Sequence, residues 1–147
     1  MKVVLDTNVI IDGIQDEYSY EKQIIDAVRS GEIEAYANHQ TIRENKLIMR
    51  RLVDHPEYER EINQLFAQIN QVVNRHQIHI VADREDNKIL ESAVEAGAEF
   101  LITRDNDLLS IEEHQGVRIV TPANFWALYK DSGEDTWKQW VKFITGK

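Results

Sequence analysis

Apolar residues along this chain fall into two kinds of pattern: short unbroken runs, and longer stretches that repeat about every 3.6 positions. Val3-Val4-Leu5 is the first short run, and it leads straight into Asp6-Thr7-Asn8. Phe100-Leu101-Ile102 is another, followed by Thr103-Arg104 and then Asp105-Asn106-Asp107. Runs of large apolar residues that stop at polar turn formers read as strands buried on both faces. On that basis strands are predicted over 2–6, 33–37, 78–81, 100–103 and 117–120. The helical repeat predicts helices over 19–30, 40–53, 57–75 and 85–96. Ile62, Leu65, Phe66, Ile69, Val72 and Val73 make the clearest stripe, and Ile42, Met49, Leu52 and Val53 mark the helix before it. Gly31 and Gly97 follow helices as C-terminal caps. Thr121-Pro122 opens one more helix, a capping hydroxyl followed by proline at the first helical position.

Strands that alternate with helices imply parallel pairing through right-handed crossovers. The predicted fold is therefore α/β: a three-layer α/β/α sandwich around a mostly parallel, roughly five-stranded sheet. Residues 131–136, Asp-Ser-Gly-Glu-Asp-Thr, read as a joint. They divide the chain into a 1–130 domain and a 131–147 helical extension, where Trp137, Trp140, Val141 and Ile144 recur at helical spacing. That extension either folds back on the core or offers an aromatic face to a partner.

Composition narrows the chemistry. A chain of 147 residues suits one domain with a sizeable core. It contains no cysteine, which removes disulfides, thiol catalysis and zinc–thiolate sites and fits a reducing compartment. The opening residues hold an apolar stretch too short for a signal peptide, and no run is long enough to span a bilayer. The expectation is a cytoplasmic protein. The net charge of −9 is unusual for a nucleic-acid binder, because phosphate contacts favour basic surfaces. An acidic protein can still act on phosphates if some of its carboxylates converge and are neutralised by divalent cations.

Candidate carboxylates stand near several predicted strand exits. Asp6 closes the first strand and Glu44 lies on the helix after the second. Asp86 opens the helix after the third, and Asp105 closes the fourth with Asp107 two residues on. Each one alone is an ordinary turn former or helix cap, and Asp107 can equally cap a short helix through Leu108 and Leu109. Asp83 and Glu85 read as surface residues. Recurrence gives the group its meaning, since the exits of parallel strands lie together beside the crevice where such folds place their chemistry. Gathered carboxylates repel, and some take up protons unless a cation sits among them. Hard oxygen donors without thiols favour Mg2+ or Mn2+. Such a cation activates water and shields charge on a phosphate, so the implied chemistry is phosphodiester hydrolysis.

These strings resemble a known family. Leu5-Asp6-Thr7-Asn8-Val9-Ile10-Ile11 resembles the opening of PIN domains, and Thr41-Ile42-Arg43-Glu44 their second acidic motif. Asp83-Arg84-Glu85-Asp86-Asn87-Lys88-Ile89-Leu90 resembles the third, and Thr103-Arg104-Asp105-Asn106-Asp107-Leu108-Leu109 the fourth. The likeness covers roughly residues 1–130 and is closest to single-domain PIN proteins that serve as toxins of toxin–antitoxin modules. It implies an endoribonuclease dependent on Mg2+ or Mn2+, with Asp6, Glu44, Asp86 and Asp105 as the acidic set and Asp107 as a candidate fifth acid. Asn8 would orient Asp6 or a metal-bound water, and Thr103 would hydrogen-bond near the scissile phosphate. RNA substrate, an antitoxin protein and a second copy of the chain are the implied partners. Arg104 departs from the pattern, standing where the family often has glycine or a small residue. It either contacts RNA phosphate or narrows the site. The alternative reading is a PIN-fold module that binds RNA or protein without efficient cleavage.

Basic residues supply a route for RNA. Arg43, Lys46 and Arg50 share one face of the helix that carries Glu44, with Arg51 beside them. They form either a guide for the RNA backbone or an ordinary solvated face. His39, His76 and His79 show no catalytic pairing. A phosphotransfer receiver needs an acidic pair just before a central strand-end aspartate, and this spacing lacks one.

Overall fold

The computed structural model describes residues 1–52, 55–131 and 144. Val53, residues 132–136 of the predicted joint, and Trp137, Trp140 and Val141 of the predicted extension lie outside the described residues. Among the described residues six strands form one sheet: β1 (Lys2–Leu5), β2 (Glu34–Asn38), β3 (Asn70–Val72), β4 (Phe100–Ile102), β5 (Glu113–His114) and β6 (Val117–Val120). Their order is β3-β2-β1-β4-β6-β5. Every pairing is parallel except β5 with β6. The helices are α1 (Thr7–Gln15), α2 (Tyr20–Arg29), α3 (His39–Leu52), α4 (Pro56–Gln68), α5 (Arg84–Ala96), α6 (Asn106–Leu109) and α7 (Pro122–Asp131).

The pleat sorts the strand residues into two cores. Val3, Leu5, Phe100 and Ile102 face one layer, where Ile10, Ile24, Ile25, Leu65 and Phe125 bring in α1, α2, α4 and α7. Val4 and Leu101 face the other, packed on Leu90 and Ala93 of α5 and Leu108 of α6. A strand buried on both faces carries an unbroken apolar run, which is why β1 and β4 were legible. From β1 the chain builds outward to β2 and β3, then crosses to the far side for β4 and β6. The direction of strand addition therefore reverses between β1 and β4, and a crevice opens at their exits.

Three local expectations fail, each for a physical reason. The segment after Asp6 is not a turn but the helix α1, whose Val9, Ile10 and Ile14 are buried. Its β-branched run has weak helix propensity, and burial against the sheet outweighs that. The helix predicted over 57–75 ends at Gln68, and Asn70–Val72 become the edge strand β3. The strand predicted over 78–81 does not form. Its backbone is satisfied by α5 side chains instead: Ile78 N–H by Glu91 Oε1 at 2.7 Å, and Ile80 and Val81 N–H by Asn87 Oδ1 at 3.1 and 3.2 Å. Asn87 Nδ2 returns a bond to the Val81 carbonyl at 2.8 Å. A segment whose N–H groups are already taken by side chains has none left for a ladder. The sheet gains β3 and the two-residue β5, giving six strands where about five were expected.

Candidate active site

Asp6 follows β1 directly. Its N–H donates to the Ile102 carbonyl at 3.0 Å, which extends the β1–β4 ladder and fixes the residue at the crevice. The residue is buried, and its Oδ2 accepts from the Thr103 hydroxyl at 2.8 Å. Thr103 is fully buried, and its Oγ1 also accepts the Asp105 N–H at 3.0 Å. One hydroxyl thus fixes Asp6 against the turn that carries Asp105.

Two carboxylates at helix starts divide their labour in a way the sequence did not separate. At α5, Asp83 is the N-cap, accepting from the Glu85 N–H at 2.8 Å. Asp86 is therefore not needed as a cap and stays buried in the first turn. At α6, Asp105 is the cap, accepting the Asp107 N–H at 2.9 Å. Asp107 takes no cap role there, although its position allowed one. Asp86, Asp105 and Asp107 each place one carboxylate oxygen within 4.8 Å of the others.

The electrostatics match this crowding. Asp86 is pushed up to about 7, first by burial, then by the charges of Asp105 and Asp83, a side-chain hydrogen bond with Asp105, and the charge of Asp6. Asp6 is also raised, again mainly by burial, with the Asp105 charge adding to it. The Thr103 hydroxyl and the N–H groups of Thr7 and Asn8 pull it partly back. Asp6 therefore shares the electrostatic field of Asp86 and Asp105. An acid such as Asp86, which burial and then neighbouring charges hold protonated up to about 7, is suited to trading its proton for a cation. All the donors are hard oxygens, so the set is compatible with a divalent metal ion.

The remaining predicted residues lie around this centre. Glu44 is exposed on α3, where Gln40 Nε2 donates to its Oε1 at 3.3 Å, and it is not in the group of close oxygens. Asn8 is exposed in the first turn of α1. Arg43, Lys46 and Arg50 are exposed along α3. Lys46 Nζ lies 5.8 Å from the Phe66 ring centroid, and Lys46 and Arg50 border a groove of about 270 Å³ against Glu59, Ile62 and Asn63 of α4. Arg104 turns to α1, with Nη1 2.6 Å from Asp12 Oδ2, and lies 3.7 Å from Glu21 Oε1 on α2.

Sequence reasoning missed the contact that ties α3 to the site. The Thr7 hydroxyl donates to Asn45 Oδ1 at 2.8 Å, and Asn45 is buried next to Glu44. A signal was available: Asn45 falls in the stripe of Ile42 and Met49, the only polar member of the buried set on α3. A polar residue on an apolar helix face needs a partner.

A parallel α/β domain with acids gathered at its switch point defines a class of catalytic architecture. The profile of the PIN domain family matches residues 2–107, and the chain belongs to that family. PIN domains are generally nucleases, and Asp6, Asp86, Asp105 and Asp107 all lie within the matched span. No curated protein and no solved structure matches the chain. Among the described residues no helix is long and apolar enough to cross a membrane.

Proposed function

We propose that the chain is an endoribonuclease that hydrolyses RNA phosphodiester bonds with Mg2+ or Mn2+. The observation that carries this is the convergence of Asp86, Asp105 and Asp107 oxygens within 4.8 Å, next to an Asp6 carboxylate held by Thr103. Asp86, Asp105 and Asp107 would hold the cation, and Asp6 and Glu44 would complete the acidic set. A bound cation supplies neutralisation of phosphate charge and activation of water. The protein's own groups prepare for it. Thr103 keeps one lone pair of Asp6 occupied and so fixes which oxygen faces the crevice. Asp86, whose carboxyl is raised to about 7, would release its proton to solvent on binding a cation. Arg43, Lys46 and Arg50 offer phosphate contacts along α3, and Asn8 lies at the N-terminal end of α1 beside Asp6.

The likeness to single-domain PIN toxins supports a finer reading, in which the ribonuclease is a toxin restrained by an antitoxin protein and works as a homodimer. A short neighbouring reading frame with a DNA-binding fold, whose product copurifies with this chain, is the result expected. The activity itself is tested with single-stranded RNA and Mg2+ or Mn2+, comparing wild type with Asp6→Asn. Equal cleavage by the two proteins across varied substrates would refute the assignment.

A further inference from the structure

Arg104 lies between two site residues yet points its charge away from them. Thr103 before it holds Asp6, and Asp105 after it belongs to the acidic group. Its guanidinium bridges Asp12 of α1 and Glu21 of α2. The two carboxylates are brought close by helix packing. A Cβ on Gly13 would overlap Ile25 Cδ1 and lie 3.0 Å from the backbone carbon of Glu21, so α1 and α2 touch at Gly13. That contact sets Asp12 beside Glu21, and the Glu21 side chain is only 12% exposed. Two carboxylates in such a place repel unless a cation lies between them. Arg104 is that cation, and it arrives on the same short turn as Asp105.

We propose that Arg104 is a positioning residue: its clasp on Asp12 and Glu21 fixes the Thr103–Asp105 turn, and through it the metal-binding geometry of Asp105. One terminal nitrogen makes both contacts: Nη1 hydrogen-bonds Asp12 Oδ2 at 2.6 Å and lies 3.7 Å from Glu21 Oε1 as a longer ion pair. The backbone on either side has little freedom to absorb movement, since Thr103 N–H bonds to the Val120 carbonyl at 3.0 Å and Asp105 N–H to the Thr103 hydroxyl. A shift of Arg104 is therefore passed directly to Asp105. The clasp holds Nη1 on the side of α1 and α2, so Arg104 contributes to metal affinity through the turn it anchors. This role rests on the metal-dependent reading above.

The test uses the full chain and Mn2+ alone, titrated by electron paramagnetic resonance, with amide hydrogen exchange over Asp105–Leu109 as a second readout. Arg104→Ala should weaken Mn2+ binding about tenfold, the lower end of what loss of a ligand-orienting partner causes. Asp12→Asn should weaken it in the same direction, and the double variant should be no worse than Arg104→Ala. Arg104→Lys should recover part of the loss. Exchange at Asp107 and Leu109 should quicken in Arg104→Ala while β1 and β4 stay protected. Unchanged Mn2+ affinity and unchanged exchange in Arg104→Ala would overturn the clasp. So would a loss confined to metal-free RNA binding, which would make Arg104 a phosphate contact. Wild-type protein that binds no Mn2+ would refute the metal-dependent function instead, and the exchange of Asp105–Leu109 then decides the clasp by itself.

Discussion

Thr103 donates its only hydroxyl proton to Asp6 Oδ2 at 2.8 Å, from a position with no solvent exposure. Thr103→Val keeps the shape and removes both this bond and the acceptor for the Asp105 N–H. The variant should lose about 1–2 kcal/mol of stability in urea unfolding, the scale of leaving buried polar groups unmatched. Thr103→Ser should recover most of it.

Asp86 predicts how the metal-free protein responds to pH. Its folded value of about 7 lies above the 3.8 of an ordinary aspartate. Between those values the folded state holds a proton that the unfolded chain has released. The stabilising contribution is therefore complete below about 3.8 and is lost as pH rises through about 7. Thermal midpoints of metal-free protein should fall across that window. Asp86→Asn should flatten the fall, and saturating Mn2+ should reverse it by binding best where the proton has left.

Asp105→Asn tests the same crowding from the other side. Asparagine caps a helix as well as aspartate does, so the start of α6 survives. The metal-free variant should be as stable as wild type or more so at pH 8, since one member of the repelling group is neutral. Its midpoint should no longer rise with added Mn2+, because stabilisation by a ligand requires affinity for it. A marked loss of stability without metal would mean that Asp105 serves the fold rather than the site.

Glu91 is buried and kept ionised; burial opposes its charge, but Arg84 at 2.7 Å and the Ile78 N–H outweigh that and leave its carboxyl below the usual range. It pins the 74–84 segment to α5. Glu91→Ala should cost about 2 kcal/mol by stranding the Ile78 N–H. Proteolysis should then cut first between Val73 and Asp83.

Gly13→Ala should destabilise by about 1–3 kcal/mol, because the added methyl meets α2 and the two helices must part. Chemical denaturation of the variant measures this directly.

The sequence was clearest where one residue type has one physical use. β1 and β4 are unbroken apolar runs because both faces are covered. Asp6 could be placed because it follows such a run directly, and Asp105 because only Thr103 and Arg104 separate it from one. Legibility failed where side chains replaced backbone partners. Ile78–Val81 has the composition of a strand, and only the distant Glu91 and Asn87 decide that it is not one. It failed again at α1, where β-branched residues concealed a helix built by burial. Among the acids, the pattern could not separate caps from free carboxylates. Asp83 and Asp105 cap their helices, while Asp86 and Asp107 lie in the first turn and do not.

The central position of β1 has a consequence for synthesis. Val3, Val4 and Leu5 pair on one side with Phe100, Leu101 and Ile102, residues made long after them. Until that segment leaves the ribosome, the middle of the sheet has a bare apolar edge. The acids are equally scattered in time, with Asp6 emerging among the first residues and Asp86, Asp105 and Asp107 among the later ones. A chain still being translated therefore has Asp6 without the carboxylates it joins in the folded protein.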